Sequence, residues 1–322
     1  MSGGRLMSGA YTSLEELARL HVSARRLPSL RQGTAQAQQS GGHASRLRGR
    51  GMDFDEFRNY QPGDDIRTID WRVTARSGKP HTKVFREERE KPVFFLLDQG
   101  QSLFFGSQLN FKSVTAAETL ALLAWQALHR GDRVGGFLYN DSEHHEFKPR
   151  RDKKAVLRLL QQTTDMNLAL SLKPVANTVE ENTLVHALRQ TRRIVKPGSL
   201  IVMISDFQSI DDRCQRQLSL LHRHSEVLAI QIQDPMESSL PRDGQYTITD
   251  GIRSRQLDTR STQNRTQYAQ EATSRQEHLQ NTMNRLHIPL LSLNAALPTD
   301  KQLFAVLQGT PTPRRRQAED AR

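Results

Sequence analysis

Two aspartates at the ends of apolar runs are the residues of this chain best placed to do chemistry. Val93-Phe94-Phe95-Leu96-Leu97 leads into Asp98, followed by Gln99-Gly100-Gln101-Ser102, and Ile201-Val202-Met203-Ile204-Ser205 leads into Asp206. An apolar strand that ends in an acid and a hydroxyl-bearing loop is where open α/β sheets place ligand sites. If both strands lie in one parallel sheet, their ends share an edge, and the two carboxylates share a crevice. Carboxylates and hydroxyls on loops, with water completing the shell, suit a hard divalent ion such as Mg²⁺. The competing reading is that each aspartate caps the turn or helix after it.

The elements that would position these acids are legible from about residue 93 onward. Short apolar runs at 93–97, 133–139, 199–205 and 227–232 read as buried strands. Helical patterns separate them at 113–129, which stops at Gly131, and at about 152–162, 183–195 and 211–224. This alternation predicts βαβ units: an α/β, Rossmann-like fold with a mainly parallel sheet and helices on both faces. A hairpin is expected at 245–258, then a polar helix at 262–286, a strand at 288–293 and a closing helix at 299–307.

Ahead of that core, residues 1–42 read as a basic helical arm and linker. Leu14, Leu17, Ala18, Leu20 and Leu27 have roughly helical spacing, and Ser13 with Glu16 forms a capping-box pattern. Residues 43–91 read as a charged irregular and β segment packing on the core, with Trp71 as its anchor. The core domain spans 92–310, and a polar, disordered tail is expected over 311–322.

At 322 residues with 36% hydrophobic content, the chain can fill a sizeable core. No apolar run is long enough for a membrane span, and an apolar signal segment is lacking, so a cytoplasmic protein is expected. The single cysteine, Cys214, excludes an internal disulfide and any cysteine-only metal cluster. The net charge is +11, and residues 1–52 contribute eight arginines against only Glu15 and Glu16. Such an arm is either a solvated tail or an attractor for nucleic acid, anionic lipid or an acidic protein.

Other motifs weaken rival functions. A phosphate loop of the Gly-x-x-x-x-Gly-Lys-Ser/Thr kind is missing from the sequence. An aspartyl phosphatase would want a second acid where Gly100 stands. His144-His145 between Glu143 and Glu146 reads as a solvated loop, and His222 and His224 do not share a helix face. In the 53–90 block, Arg58, Asp64, Asp65, Arg67 and Asp70 either pair structurally or form a docking face for a partner.

Three stretches carry a family resemblance. They are the block Gly49–Asp98, with Arg58-Asn59-Tyr60-Gln61-Pro62-Gly63-Asp64-Asp65-Ile66-Arg67 and Ile69-Asp70-Trp71, the Ile204-Ser205-Asp206-Phe207 strand end, and Gln233-Asp234-Pro235-Met236-Glu237. Over roughly residues 43–308 the chain closely resembles the bacterial "domain of unknown function 58" family. The resemblance implies a von Willebrand factor A-like domain, association with a MoxR-type AAA+ ATPase, and a metal-ion-dependent adhesion site. In that site's Asp-x-Ser-x-Ser pattern, Asp98 matches the first Asp and Ser102 the second Ser. Gly100 stands where the first Ser should be, which removes one direct hydroxyl ligand. Asp206 matches the later Asp, and Thr183, with Thr178 behind it, is the candidate for the distant Thr.

The expectation is therefore a non-enzymatic interaction module, acting with a MoxR-type ATPase on an unknown client, with Mg²⁺ at a degenerate adhesion site. Two alternatives remain open: a divalent-metal-dependent hydrolase at the same edge, and a nucleic-acid-binding module using the basic arm. Peripheral membrane contact through the arm is also open.

Overall fold

The computed structural model describes residues 9–30, 52–61, 69–87, 92–172, 182–241, 244–249 and 254–309. The chain forms two compact units, residues 46–91 and the remainder. In chain order the elements are α1 (Leu14–Arg19), α2 (His21–Ala24), β1 (Met52–Asn59), α3 (Trp71–Ser77), β2 (His81–Glu87), β3 (Val93–Asp98), α4 (Lys112–His129), β4 (Val134–Tyr139) and β5 (His144–Arg150). There follow α5 (Lys153–Ala169), α6 (Thr183–Ile194), β6 (Leu200–Ser205), α7 (Asp212–His222), β7 (Glu226–Gln233), β8 (Gln245–Thr249), β9 (Ser254–Asp258), α8 (Thr262–Arg285), β10 (Leu290–Asn294) and α9 (Thr299–Leu307).

The larger unit is built on a six-stranded sheet in the order β10-β7-β6-β3-β4-β5. Five strands are parallel, and only the edge strand β5 runs antiparallel, against β4. Every residue of β3, β4 and β6 is buried, which is why these strands are apolar runs without alternation. Their side chains feed two cores. Phe95, Leu97, Val202 and Ile204 pack with α4, α5, α9 and the N-terminal helices, whereas Phe94, Leu96, Ile201 and Met203 pack with α6, α7 and α8. Both faces are covered, as the βαβ pattern predicts.

Helix α4 is enclosed almost all round, with Lys112–Ala117 and Thr119–Ala127 buried. That explains its run of Ala and Leu, since a helix buried on every side needs no polar face. One of its covers is the N-terminal segment. Ser13 caps α1 with Glu16 in a reciprocal capping box, Leu17 is fully buried, and its carbonyl accepts from the Trp125 indole at 3.3 Å. Thr12 N–H donates to Asn167 at 2.9 Å, and the Tyr11 hydroxyl to the Leu170 carbonyl at 2.9 Å. The described part of the expected basic arm is thus an integral layer of the larger unit. The apolar positions at 14, 17, 20 and 27 that suggested a helix are the ones that bury it.

In the smaller unit, β1 and β2 pair antiparallel, with a bulge between Phe54 and Glu56. Asp70 caps α3 by accepting from the backbone N–H groups of Arg72 and Val73, and Gly78 closes the helix at φ 70°. Trp71, at the first position of α3, is 68% exposed. The expected tail over 311–322 lies outside the described residues.

One strand escaped the sequence reading. Residues 144–150, read in part as a solvated loop, form β5, whose side chains alternate between exposed and half-buried. An edge strand with no buried face has no apolar run to give it away. Among the described residues, no helix is long and apolar enough to cross a membrane.

Candidate functional site

Parallel pairing of β3 with β6 sets Leu97 opposite Ile204, so Asp98 and the Ser205-Asp206 pair emerge side by side. From β3 the chain turns to β4 on one side of the sheet, and it returns later as β6 on the other side. The two acids therefore flank a topological switch point at the carboxyl edge, the crevice where open α/β sheets bind ligands.

Asp98 is held at both oxygens. Its Oδ1 accepts from Gly100 N–H at 2.8 Å, and its Oδ2 from the Ser205 hydroxyl at 2.7 Å. Ser205 Oγ in turn accepts from Phe207 N–H at 3.0 Å. Phe207 adopts φ 55°, an unusual conformation for a bulky residue that here turns the chain sharply after Asp206. Burial, then the neighbouring Asp206 charge, push the Asp98 carboxyl up to about 7, against the two hydrogen bonds that favour its ionised form. The Tyr139 phenol, at the end of the adjoining strand, is also buried. Burial and the Asp98 and Asp206 carboxylates push it well above its ordinary value.

Asp206 faces a cation that the motif search missed. Lys112, the first residue of α4, has a fully buried side chain whose Nζ lies 2.9 Å from Asp206 Oδ2 and 2.5 Å from Glu237 Oε1. Burial pulls the lysine's pKa down, but Asp206 and Glu237 together raise it above the ordinary value, so the ammonium is charged. A cation at a helix N-terminus opposes the helix dipole, at a cost of about 0.3–1 kcal/mol; the two carboxylates offset it.

Glu237 is fixed by its own surroundings. It ends a short 3₁₀ helix, Pro235–Glu237, in a reciprocal capping box with Asp234. Glu237 Oε2 accepts from Asp234 N–H at 3.0 Å, while Asp234 Oδ2 accepts from Ser107 N–H at 2.8 Å. Gln208 bridges the two acids, its N–H on Asp206 Oδ1 at 3.2 Å and its side-chain amide on Glu237 Oε1 at 2.9 Å.

The expected ligand set is brought together only in part. Asp98 and Asp206 meet. Ser102, in the 3₁₀ turn Gln101–Leu103, is exposed, and Thr183 is half-buried at the first position of α6, behind an Asn182 cap. Thr178 lies outside the described residues. A Cβ at Gly100 would stand 3.0 Å from Asp98 Oδ1 and 3.3 Å from Asp141 Oδ1, so any side chain there would need these carboxylates to shift. Among the described residues, no three His, Cys, Asp or Glu side chains are grouped to hold an ion. With an ammonium on Asp206 Oδ2, both Asp98 oxygens already hydrogen-bonded and no hydroxyl at position 100, the donor set does not suit Mg²⁺.

Of the docking candidates, Arg58 lies exposed on β1 and donates to Gln61 at 3.4 Å. Asp70 serves α3 as its cap, and Asp64, Asp65 and Arg67 lie outside the described residues. Cys214 is buried, and burial pushes its thiol up to about 12, which makes it a packing residue.

The family model described as protein of unknown function DUF58 matches residues 56–278. The chain belongs to the DUF58 family. An uncharacterized protein of Mycobacterium bovis is 28% identical to it over 282 residues, covering 86% of this chain and 84% of its own. YeaD of Bacillus subtilis, also uncharacterized, is 42% identical over 60 residues, 19% of this chain and 14% of its own. Among solved structures, BatB from Bacteroides thetaiotaomicron gives a TM-score of 0.40 at 13% identity, over 68% of this DUF58 chain and 96% of that one. Proximal thread matrix protein 1 from the mussel byssus, with a zinc-occupied MIDAS motif, gives 0.37 at 12% identity, over 68% and 48%.

Proposed function

We propose that this DUF58 protein is a non-enzymatic interaction module with a von Willebrand factor A-like core. It works in the cytoplasm with a MoxR-type AAA+ ATPase, in chaperone-like maturation or remodelling of a client complex. The observation that carries this reading is the state of the two switch-point carboxylates. Asp98 is tied to Ser205 and Gly100, and Asp206 to Lys112 and Gln208. Buried and tied in this way, the two acids fix the backbone and the rim of the sheet edge that a partner would meet. A covalent hydrolase would instead need a nucleophile and a base facing each other, and a metal-dependent one a donor set that suits the ion.

The test mixes the purified protein with a purified MoxR-type ATPase and measures complex formation by size exclusion and interferometry. A complex is expected, weakened at least tenfold by Asp98→Ala or Asp206→Ala in variants whose circular dichroism is unchanged. Failure to form a complex sinks the partner. A complex indifferent to both substitutions sinks the role of the edge. Turnover of a phosphoester or peptide substrate that is lost in Asp98→Ala would favour the hydrolase reading instead.

A further inference from the structure

We infer that the ε-ammonium of Lys112 is the resident cation of this site, standing in for a divalent ion, so that the sheet edge is assembled and recognised without metal. The lysine is fully buried and reaches oxygens from two separate elements, Asp206 at the end of β6 and Glu237 on the 3₁₀ turn after β7. An ammonium has three donors, and two are committed to these carboxylates. Helix chemistry gives no reason for a lysine at the first position of α4, where the dipole disfavours it. Its placement is accounted for by the acids it neutralises.

The rest of the site matches a built-in cation. Gly100 offers no hydroxyl, and any side chain there would press on Asp98. Ser205, instead of an ion, links the two strand ends by donating to Asp98. A second cation on the same oxygens would sit against a buried positive charge, where repulsion is poorly screened. The ammonium's third donor is fully buried, out of a partner's reach. A partner's carboxylate therefore cannot complete a shell here, and recognition falls to hydrogen bonds and charge at the rim. The lysine's role does not depend on which partner binds, and direct metal measurements decide it.

The experiment is a titration of the whole protein with Mn²⁺, read by electron paramagnetic resonance, with melting curves in Mg²⁺ and in EDTA. Wild-type protein is expected to show no stoichiometric Mn²⁺ site and the same melting temperature in both buffers. A saturable wild-type site, displaced by Mg²⁺ and lost in Asp206→Asn, overturns the inference. Lys112→Ala is expected to gain a Mn²⁺ site and a melting temperature that rises with the ion. Should alanine not fold, Lys112→Ser, which adds a hydroxyl and leaves a smaller void, takes its place. Folding of either variant only when a divalent ion is added is the same result in stronger form. A folded Lys112 variant with no Mn²⁺ affinity overturns the exchange of one cation for the other.

Discussion

Lys112 Nζ lies 2.9 Å from Asp206 Oδ2, and the two side chains are 0% and 4% exposed. A buried ion pair of this kind adds little net stability over an apolar pair, but removing one partner strands the other charge without water. Lys112→Met is expected to cost about 3–5 kcal/mol. Lys112→Met combined with Asp206→Asn should recover part of that loss. Urea unfolding of the two singles and the double closes the cycle, and strict additivity would show that the pair is not coupled.

Asp98 predicts a distinct pH dependence. Its carboxyl is raised from 3.8 to about 7 in the folded protein, so between those values the folded state holds a proton that the unfolded chain has released. Stability contributed by this residue is therefore present below pH 3.8 and is lost as pH rises toward 7. The slope is roughly 1.4 kcal/mol per pH unit. Asp98→Asn should flatten that region and leave the variant relatively more stable at pH 8 than at pH 4. Equal pH profiles for variant and wild type would contradict the assignment.

The N-terminal helices carry a third prediction. Leu17 is fully buried against α4, so Leu17→Ala should cost about 2–5 kcal/mol. A solvated arm would show no such effect. Thermal unfolding with limited proteolysis distinguishes the two, because a docked segment resists cleavage between residues 12 and 24.

Cys214 supplies a fourth. Burial and a thiol pushed up to about 12 make it unreactive. A thiol reagent at pH 8 should label it only at the rate of unfolding. Stoichiometric labelling within seconds in native buffer would show an accessible thiol.

The core of the fold was readable because its chemistry is periodic. Strands covered on both faces, such as 93–98 and 200–205, must be continuously apolar, and α4 had to be rich in Ala and Leu once it was enclosed. Strand β5 was hidden because its exposed positions carry His144, Glu146, Lys148 and Arg150, and its half-buried ones a mixed His145, Phe147 and Pro149. At the site, Asp98 and Asp206 were found from their strand ends. Lys112 and Glu237 were missed because Lys112 meets Asp206 from 94 positions away and Glu237 from 125, and no local pattern encodes such meetings. One local clue existed: a lysine opens a helix rich in Ala and Leu at the end where a cation is least welcome.

The crossing of the chain from β3 out to β4 and back to β6 also bears on when the site comes into being. Ser205 and Asp98 are 107 residues apart, and Lys112 and Glu237 are 125 apart. Neither contact forms until the central strands have found each other across that separation, the slow, late kind of pairing in folding. A protein that binds this edge would thus sample only finished molecules. Partly folded chains, however helical, would lack the surface altogether.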